Sequence, residues 1–215
     1  MAERLTGVSI YAEALRAQTH EFMNKLHVIL GMVRLGDYDR LNNYVNQIAS
    51  RYQAEVGSLV KKIKDPVLAG FIIGKISLAR EAGITMTVSE DSFLPEPAEP
   101  EVVHELITII GNLINNSLDA VEKSTCKCVN IDFSWDNDIL TIEVSDTGSG
   151  IDEVVKNKIF AQGYSTKGTD RGLGLYLIQR SLERLGGQIT VISEVGHGAL
   201  FRVILPYWSK EGYFD

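Results

Sequence analysis

The sequence predicts an α+β protein in two parts: an N-terminal helical hairpin over residues 1–64, and over residues 65–215 one mostly antiparallel sheet faced by helices. Three observations predict it. Apolar residues recur in steps of three and four through the first part. Five segments of the second part alternate like strands, with helical patterns between them. A stretch dense in glycine, between about 146 and 174, separates the middle strands from the last helix. With 215 residues, 45% of them hydrophobic, the chain can bury a core and is not a disordered one.

Ala12, Leu15, Thr19, Phe22, Leu26, Ile29 and Val33 form the seam of a first long helix. Gly36-Asp37-Tyr38-Asp39 interrupts it, and Leu41, Val45, Ile48, Tyr52, Val56, Leu59 and Ile63 resume it. Two helices cannot bury two seams by themselves. A homodimer closing a four-helix bundle is the economical solution, and docking on the second domain is the other. Asp65-Pro66 is an N-cap followed by proline at the first helical position, opening a helix to about Ala82. Ile84–Val88 reads as a strand. Pro95, Pro97 and Pro100 mark a loop into a helix from about Glu101 to Lys123. Strands are expected at Val129–Trp135 and Ile139–Ser145, then a helix at Leu173–Leu185 and a hairpin of Gln188–Ser193 with Gly198–Leu205. No internal repeat is visible.

Composition narrows the partners. The net charge of −7 and the dispersed lysines and arginines argue against nucleic acid. Cys126 and Cys128 are the chain's two cysteines, and without a signal peptide they exclude a disulfide framework. With no His or Cys cluster at ligand spacing they read as residues at the start of a strand. No apolar run approaches the roughly 18 residues that cross a bilayer.

Four signals in the second part carry chemistry. Asn112 and Asn116, at i and i+4, share one helix face; a neutral carboxamide oxygen can ligate Mg²⁺ already bound to triphosphate without adding negative charge. Asp146-Thr147-Gly148-Ser149-Gly150-Ile151 follows a strand, where a short acid can accept from an exocyclic amine such as that of adenine and the glycines let backbone approach the ring. Gly172-Leu173-Gly174-Leu175 opens a helix whose N–H groups can face phosphate, and Ser165-Thr166-Lys167-Gly168 before it can add contacts. Phe160 lies in residues 152–171, a segment able to form a lid. Each alone also has a plain reading: surface asparagines, a β-turn, a helix start, an ordinary loop.

In this order the N-box, the G1 box, the F-box at Phe160 and the G2 box resemble the ATP-binding domain of sensor histidine kinases, within the GHKL superfamily that also holds gyrase, MutL and heat-shock ATPases. The resemblance implies an α/β sandwich binding ATP and Mg²⁺. It assigns Asn116 as the Mg²⁺ ligand and places Asn112 beside the γ-phosphate. It gives Asp146 the adenine, and to Gly148, Gly150, Ile151, Thr166, Lys167, Gly172, Leu173, Gly174 and Leu175 the walls of the pocket.

His20 follows the seam residue Thr19, so it turns about 100° away from the core toward solvent. A neutral imidazole is a competent nucleophile near pH 7. Glu21 beside it can take or orient the ring proton, and Asn24, one turn on, can hold a water for the reverse hydrolysis. H-E-x-x-N resembles the dimerisation and phosphotransfer helix of bifunctional kinase/phosphatases. His27, on a similar face, lacks the acidic neighbour. The string Leu15–His27, with Asp65-Pro66-Val67 and Gly74-Lys75, resembles the citrate- and four-carbon-dicarboxylate-sensing group. The resemblance implies a homodimer that phosphorylates His20 from ATP and passes the phosphoryl to a response-regulator receiver domain. It implies the cytoplasmic end of a receptor in the bacterial inner membrane. A non-catalytic phosphotransfer scaffold and a mechanical ATPase are the competing readings.

Overall fold

The computed structural model describes residues 27–49, 53–156, 159 and 173–210. His20, Glu21, Asn24, Phe160, Thr166, Lys167 and Gly172 lie outside these residues. By its contacts the chain forms two compact units, Met1–Ala54 and Glu55–Asp215.

In the first unit, residues 27–35 are helical (α1) and α2 spans Tyr38–Ala49. The connection is short because Gly36 adopts φ 68°, a left-handed conformation that suits glycine. Its N–H donates to the Val33 carbonyl at 3.1 Å, and the Asp37 N–H to that of Met32 at 3.1 Å, the paired closure of a Schellman motif. The Asp37 carboxylate then accepts from the Arg40 N–H at 3.2 Å and caps α2.

Helix α3 spans Gln53–Lys62. Its last turn belongs by packing to the second unit, where Leu59 and the following Ile63 are buried in the core. The Leu94 N–H donates to the Lys62 carbonyl at 2.8 Å, and the Lys64 N–H to that of Leu94 at 2.9 Å. Helix α4 spans Pro66–Glu81 and starts as its sequence predicts: one Asp65 carboxylate oxygen accepts from the Val67 and Leu68 N–H groups at 2.9 and 2.8 Å.

Five strands follow the predicted order: β1 Thr85–Val88, β2 Cys128–Asp136, β3 Ile139–Asp146, β4 Gln188–Ser193 and β5 Ala199–Pro206. They form one sheet in the order β1-β2-β3-β5-β4, with β1 parallel to β2 and the other pairs antiparallel. Asn137 and Asp138, both at positive φ, make the two-residue turn between β2 and β3. Alternation along β3 and β5 buries Leu140, Ile142, Val144, Phe201, Val203 and Leu205. Over that face lies α5, Glu101–Val121, whose buried stripe of Leu106, Ile110, Leu113, Ile114, Ser117 and Val121 follows helical spacing. Helix α6 is the single turn Glu153–Lys156, and α7 is Gly174–Leu185, which packs on α5 and ends at Gly186 in the left-handed conformation. The C-terminal ends of α5 and β3 and the N-terminal end of α7 meet at one edge of this α/β sandwich.

Candidate functional site

At that edge lies a cavity lined from α5 by Asn116, Asp119 and Ala120, from the end of β3 by Asp146 through Ile151, and from α7 by Gly174 and Leu175. The asparagine face is set by the stripe that anchors α5: with Leu113 and Ser117 in the core, Asn112 and Asn116 lie on its flank, half-buried. Asn112 donates through Nδ2 to the Thr108 carbonyl at 2.7 Å, which fixes the carboxamide and leaves its Oδ1 toward α7. A Cβ on Gly174 would stand 2.9 Å from that oxygen, so the first turn of α7 reaches Asn112 only because residue 174 is glycine.

Asn116 is different: its Nδ2 is buried and has no hydrogen-bond partner. An unsatisfied buried donor costs about 1–3 kcal/mol, so Asn116 sits on the cavity wall with an N–H group that an acceptor could satisfy, and any cation would be held by its Oδ1. Among the described residues no group of three or more His, Cys, Asp or Glu side chains can hold a metal. A cation that brings most of its own oxygen ligands, as Mg²⁺ does with a triphosphate, fits this single-carboxamide donor set.

Asp146 ends β3 and is 8% exposed. Its Oδ2 accepts from the Ser117 hydroxyl at 3.1 Å and its Oδ1 from the Gly148 N–H at 2.8 Å, so the carboxylate is held in one orientation on the cavity wall. In the loop after it, positions 148 and 150 are packed too tightly for a side chain. A Cβ on Gly148 would lie 2.6 Å from the Ala120 Cβ, and one on Gly150, at φ 71°, would lie 2.0 Å from the Glu194 carbonyl oxygen. Further ties bind the loop to the β4–β5 turn. The Ile151 N–H donates to the Ser193 hydroxyl at 2.8 Å, that hydroxyl to the Gly198 carbonyl at 2.6 Å, and the Gly196 N–H to the Ser149 carbonyl at 2.7 Å. Facing them, α7 begins at Leu173 without a side-chain cap. The N–H groups of its first turn have no intrahelical partner and can meet an anion.

The structure therefore brings Asn116, Asp146, Gly148, Gly150, Ile151, Gly174 and Leu175 onto the wall of one cavity, with Asn112 beside it against Gly174 and Leu173 at the start of α7. Three supporting residues were not singled out from the sequence. Ser117 had a signal, a polar residue at a core position of the α5 stripe between Leu113 and Val121. Gly198, at φ 82°, would place a Cβ 1.9 Å from the Asp146 carbonyl oxygen, and Ser193 bridges the two turns. Both act through chain segments distant in sequence, which no local pattern records.

Residues 101–209 match the family described as histidine kinase-, DNA gyrase B- and HSP90-like ATPases. Residues 7–61 match the α-helical domain of SpoOB-type sensor kinases. The sensor histidine kinase DcuS of Escherichia coli (strain K12) is 44% identical over 211 residues, covering 98% of this chain and 39% of that protein. The sensor protein CitS of Bacillus subtilis (strain 168) is 38% identical over 213 residues, covering 99% of this chain and 39% of its own. The chain thus spans about two-fifths of the length of these relatives. Among solved structures, full-length ShkA in complex with AMPPNP aligns with a TM-score of 0.56 at 25% identity, over 92% of this chain and 46% of that one.

Proposed function

The chain belongs to the family of histidine kinase-, DNA gyrase B- and HSP90-like ATPases, and from that premise we propose that it is the kinase core of a two-component sensor. It phosphorylates His20 from ATP and passes the phosphoryl group to the aspartate of a response-regulator receiver domain. The observation that carries this reading is the convergence of Asn116, whose Nδ2 has no partner, the doubly held Asp146 carboxylate and the uncapped start of α7 on one cavity.

In this reading Asp146 accepts from the adenine amine, and Gly148, Gly150 and Ile151 form the floor beneath the base. The N–H groups at Gly172, Leu173, Gly174 and Leu175 face the phosphates, together with Thr166 and Lys167. Asn112 stands beside the γ-phosphate. Asn116 ligates Mg²⁺, which when bound supplies charge neutralisation for a transfer that rests mainly on positioning. Glu21 accepts or orients the His20 ring proton, and the imidazole attacks the γ-phosphorus in line with the leaving ADP. We place the functional boundary at Asp65-Pro66, with 1–64 as the dimerisation and phosphotransfer hairpin and 65–215 as the catalytic domain. The 1–64 hairpin pairs with a second copy into a four-helix bundle.

The names of the two relatives support a sensor as the parent protein. We place this chain at the cytoplasmic end of a receptor in the bacterial inner membrane. No helix among the described residues is long and apolar enough to cross a membrane.

Nucleotide titration with and without Mg²⁺ tests the pocket. Asn116→Ala is expected to lose most of the Mg²⁺-dependent gain in affinity, roughly fivefold or more for the loss of one charge-assisted contact. Its melting temperature should not fall by much, because the substitution also removes a buried donor that has no partner. A variant with the wild-type response to Mg²⁺ takes Asn116 out of the site.

Asn24 supplies a separate test. Asn24→Ala is expected to slow decay of the phosphorylated regulator by about tenfold or more, with phosphorylation of His20 largely spared, because Glu21 serves the forward step. The decay rate of the phosphorylated regulator, measured with either kinase present, is the readout. Equal rates remove Asn24 from the mechanism.

A further inference from the structure

One pair of nucleophiles has no part in that chemistry. Cys126 and Cys128 flank the start of β2, and their sulfur atoms lie 3.1 Å apart, inside ordinary van der Waals contact. Both are free thiols, with Cys126 exposed and Cys128 partly so. The chain bends at Cys126 before β2 begins at Cys128, so the two sulfurs face each other across Lys127 at a separation that bond formation would shorten by about 1 Å.

The pair is wired to the nucleotide site. Cys126 lines the same cavity as Asp146 and Gly148. Thr147, between those two, clamps the cysteine segment three ways. Its hydroxyl donates to the Cys126 carbonyl at 2.6 Å and accepts from the Cys128 N–H at 3.0 Å, and its own N–H donates to the Cys128 carbonyl at 3.1 Å.

We propose that Cys126 and Cys128 are an oxidative modification site, closed to an intramolecular disulfide by hydrogen peroxide, and that closure weakens nucleotide binding through Thr147. The coupling rests on the nucleotide reading of the cavity; the thiol chemistry does not. The Cys126 thiolate, the more exposed, attacks one peroxide oxygen. The O–O bond breaks, hydroxide leaves and takes up a proton, and Cys126 becomes a sulfenic acid. The Cys128 sulfur then gives up its proton and attacks that sulfur; the S–O bond breaks and water departs. Two thiols are oxidised by two electrons, and one peroxide is reduced to two waters. The shared hydrogen bond pushes the Cys128 thiol above its ordinary pKa, and Cys126, the more exposed of the two, meets the peroxide first. Drawing the sulfurs from 3.1 Å to bonding distance shifts the backbone that Thr147 holds, and with it the Asp146–Gly148 turn.

Lys127, between the cysteines, makes the test direct, because trypsin cuts there. The purified full chain is treated with hydrogen peroxide, its remaining thiols are blocked, and it is digested without reductant. The expected result is that Ser124–Lys127 and Cys128–Lys156 stay joined, with the pair short of two hydrogens and released by dithiothreitol. A fluorescent ATP analogue should bind the oxidised chain roughly two- to tenfold more weakly, the loss of about one hydrogen bond's contribution, and reduction should restore it. Cys126→Ser and Cys128→Ser, each compared with its own untreated state, should neither link nor respond.

Separate peptides, a sulfinic acid on either cysteine, or a disulfide between two chains overturns the proposal. Joined peptides with unchanged nucleotide affinity overturn the coupling. A reduced chain that binds no nucleotide overturns the proposed function and the coupling together, while the digest still decides the thiol chemistry.

Discussion

His20→Gln is expected to abolish incorporation of phosphate from γ-labelled ATP while leaving nucleotide affinity within about twofold of wild type. Glutamine keeps the bulk and polarity of the side chain but carries no nitrogen lone pair basic enough to attack phosphorus. The loss should therefore be complete rather than graded. Affinity should be spared because every described residue of the cavity lies at or beyond Asn116 in the sequence, in the other compact unit from position 20. The measurement is labelled phosphate on the gel band beside a nucleotide titration of the same preparation. If His20→Gln still takes up label and His27→Gln does not, the acceptor is misassigned.

The second large effect is expected at Asp146. Asp146→Ala removes the acceptor proposed for the adenine amine and leaves the buried Ser117 hydroxyl and the Gly148 N–H without their partner. Losing one such buried partner costs about 1–3 kcal/mol, so adenine-nucleotide affinity should fall roughly five- to 150-fold. Thermal stability should fall as well. Asp146→Asn separates the two effects. Its carbonyl oxygen can keep the Gly148 N–H bond and recover stability, but its amide opposes a donor with a donor and should still bind adenine nucleotides poorly. Calorimetric titration with ATP and a melting curve for each variant give both readings. Affinity at the wild-type level in Asp146→Ala would empty the adenine assignment.

The second unit was legible because its signals are local. Asp65-Pro66 encodes its own cap, β3 and β5 alternate cleanly, and Asn112 and Asn116 share a face by helical geometry alone. The hairpin connection was legible for the same reason, since Gly36 and Asp37 close one helix and cap the next. What stayed hidden depends on contacts between distant segments. Leu59 and Ile63 fit the seam of a bundle helix as well as they fit the core against Leu94, and periodicity does not distinguish the two. The parallel pairing of β1 with β2, the bracing of Asp146 by Ser117 and the closeness of Gly198 to the Asp146 carbonyl likewise exist only after the sheet has formed. For Cys126 and Cys128, the sequence records adjacency but not the clamp that Thr147 places on them.

The central claim is that a phosphoryl group moves from ATP to His20. It is tested most directly by incubating the full chain with γ-labelled ATP and Mg²⁺, digesting with trypsin at neutral pH and locating the label. The peptide Ala17–Lys25 contains His20, whereas His27 falls in Leu26–Arg34. The account predicts acid-labile, base-stable label on Ala17–Lys25. Label on Leu26–Arg34, acid-stable label anywhere, or free phosphate released with no labelled peptide would contradict it, the last of these pointing to an ATPase that drives conformational work.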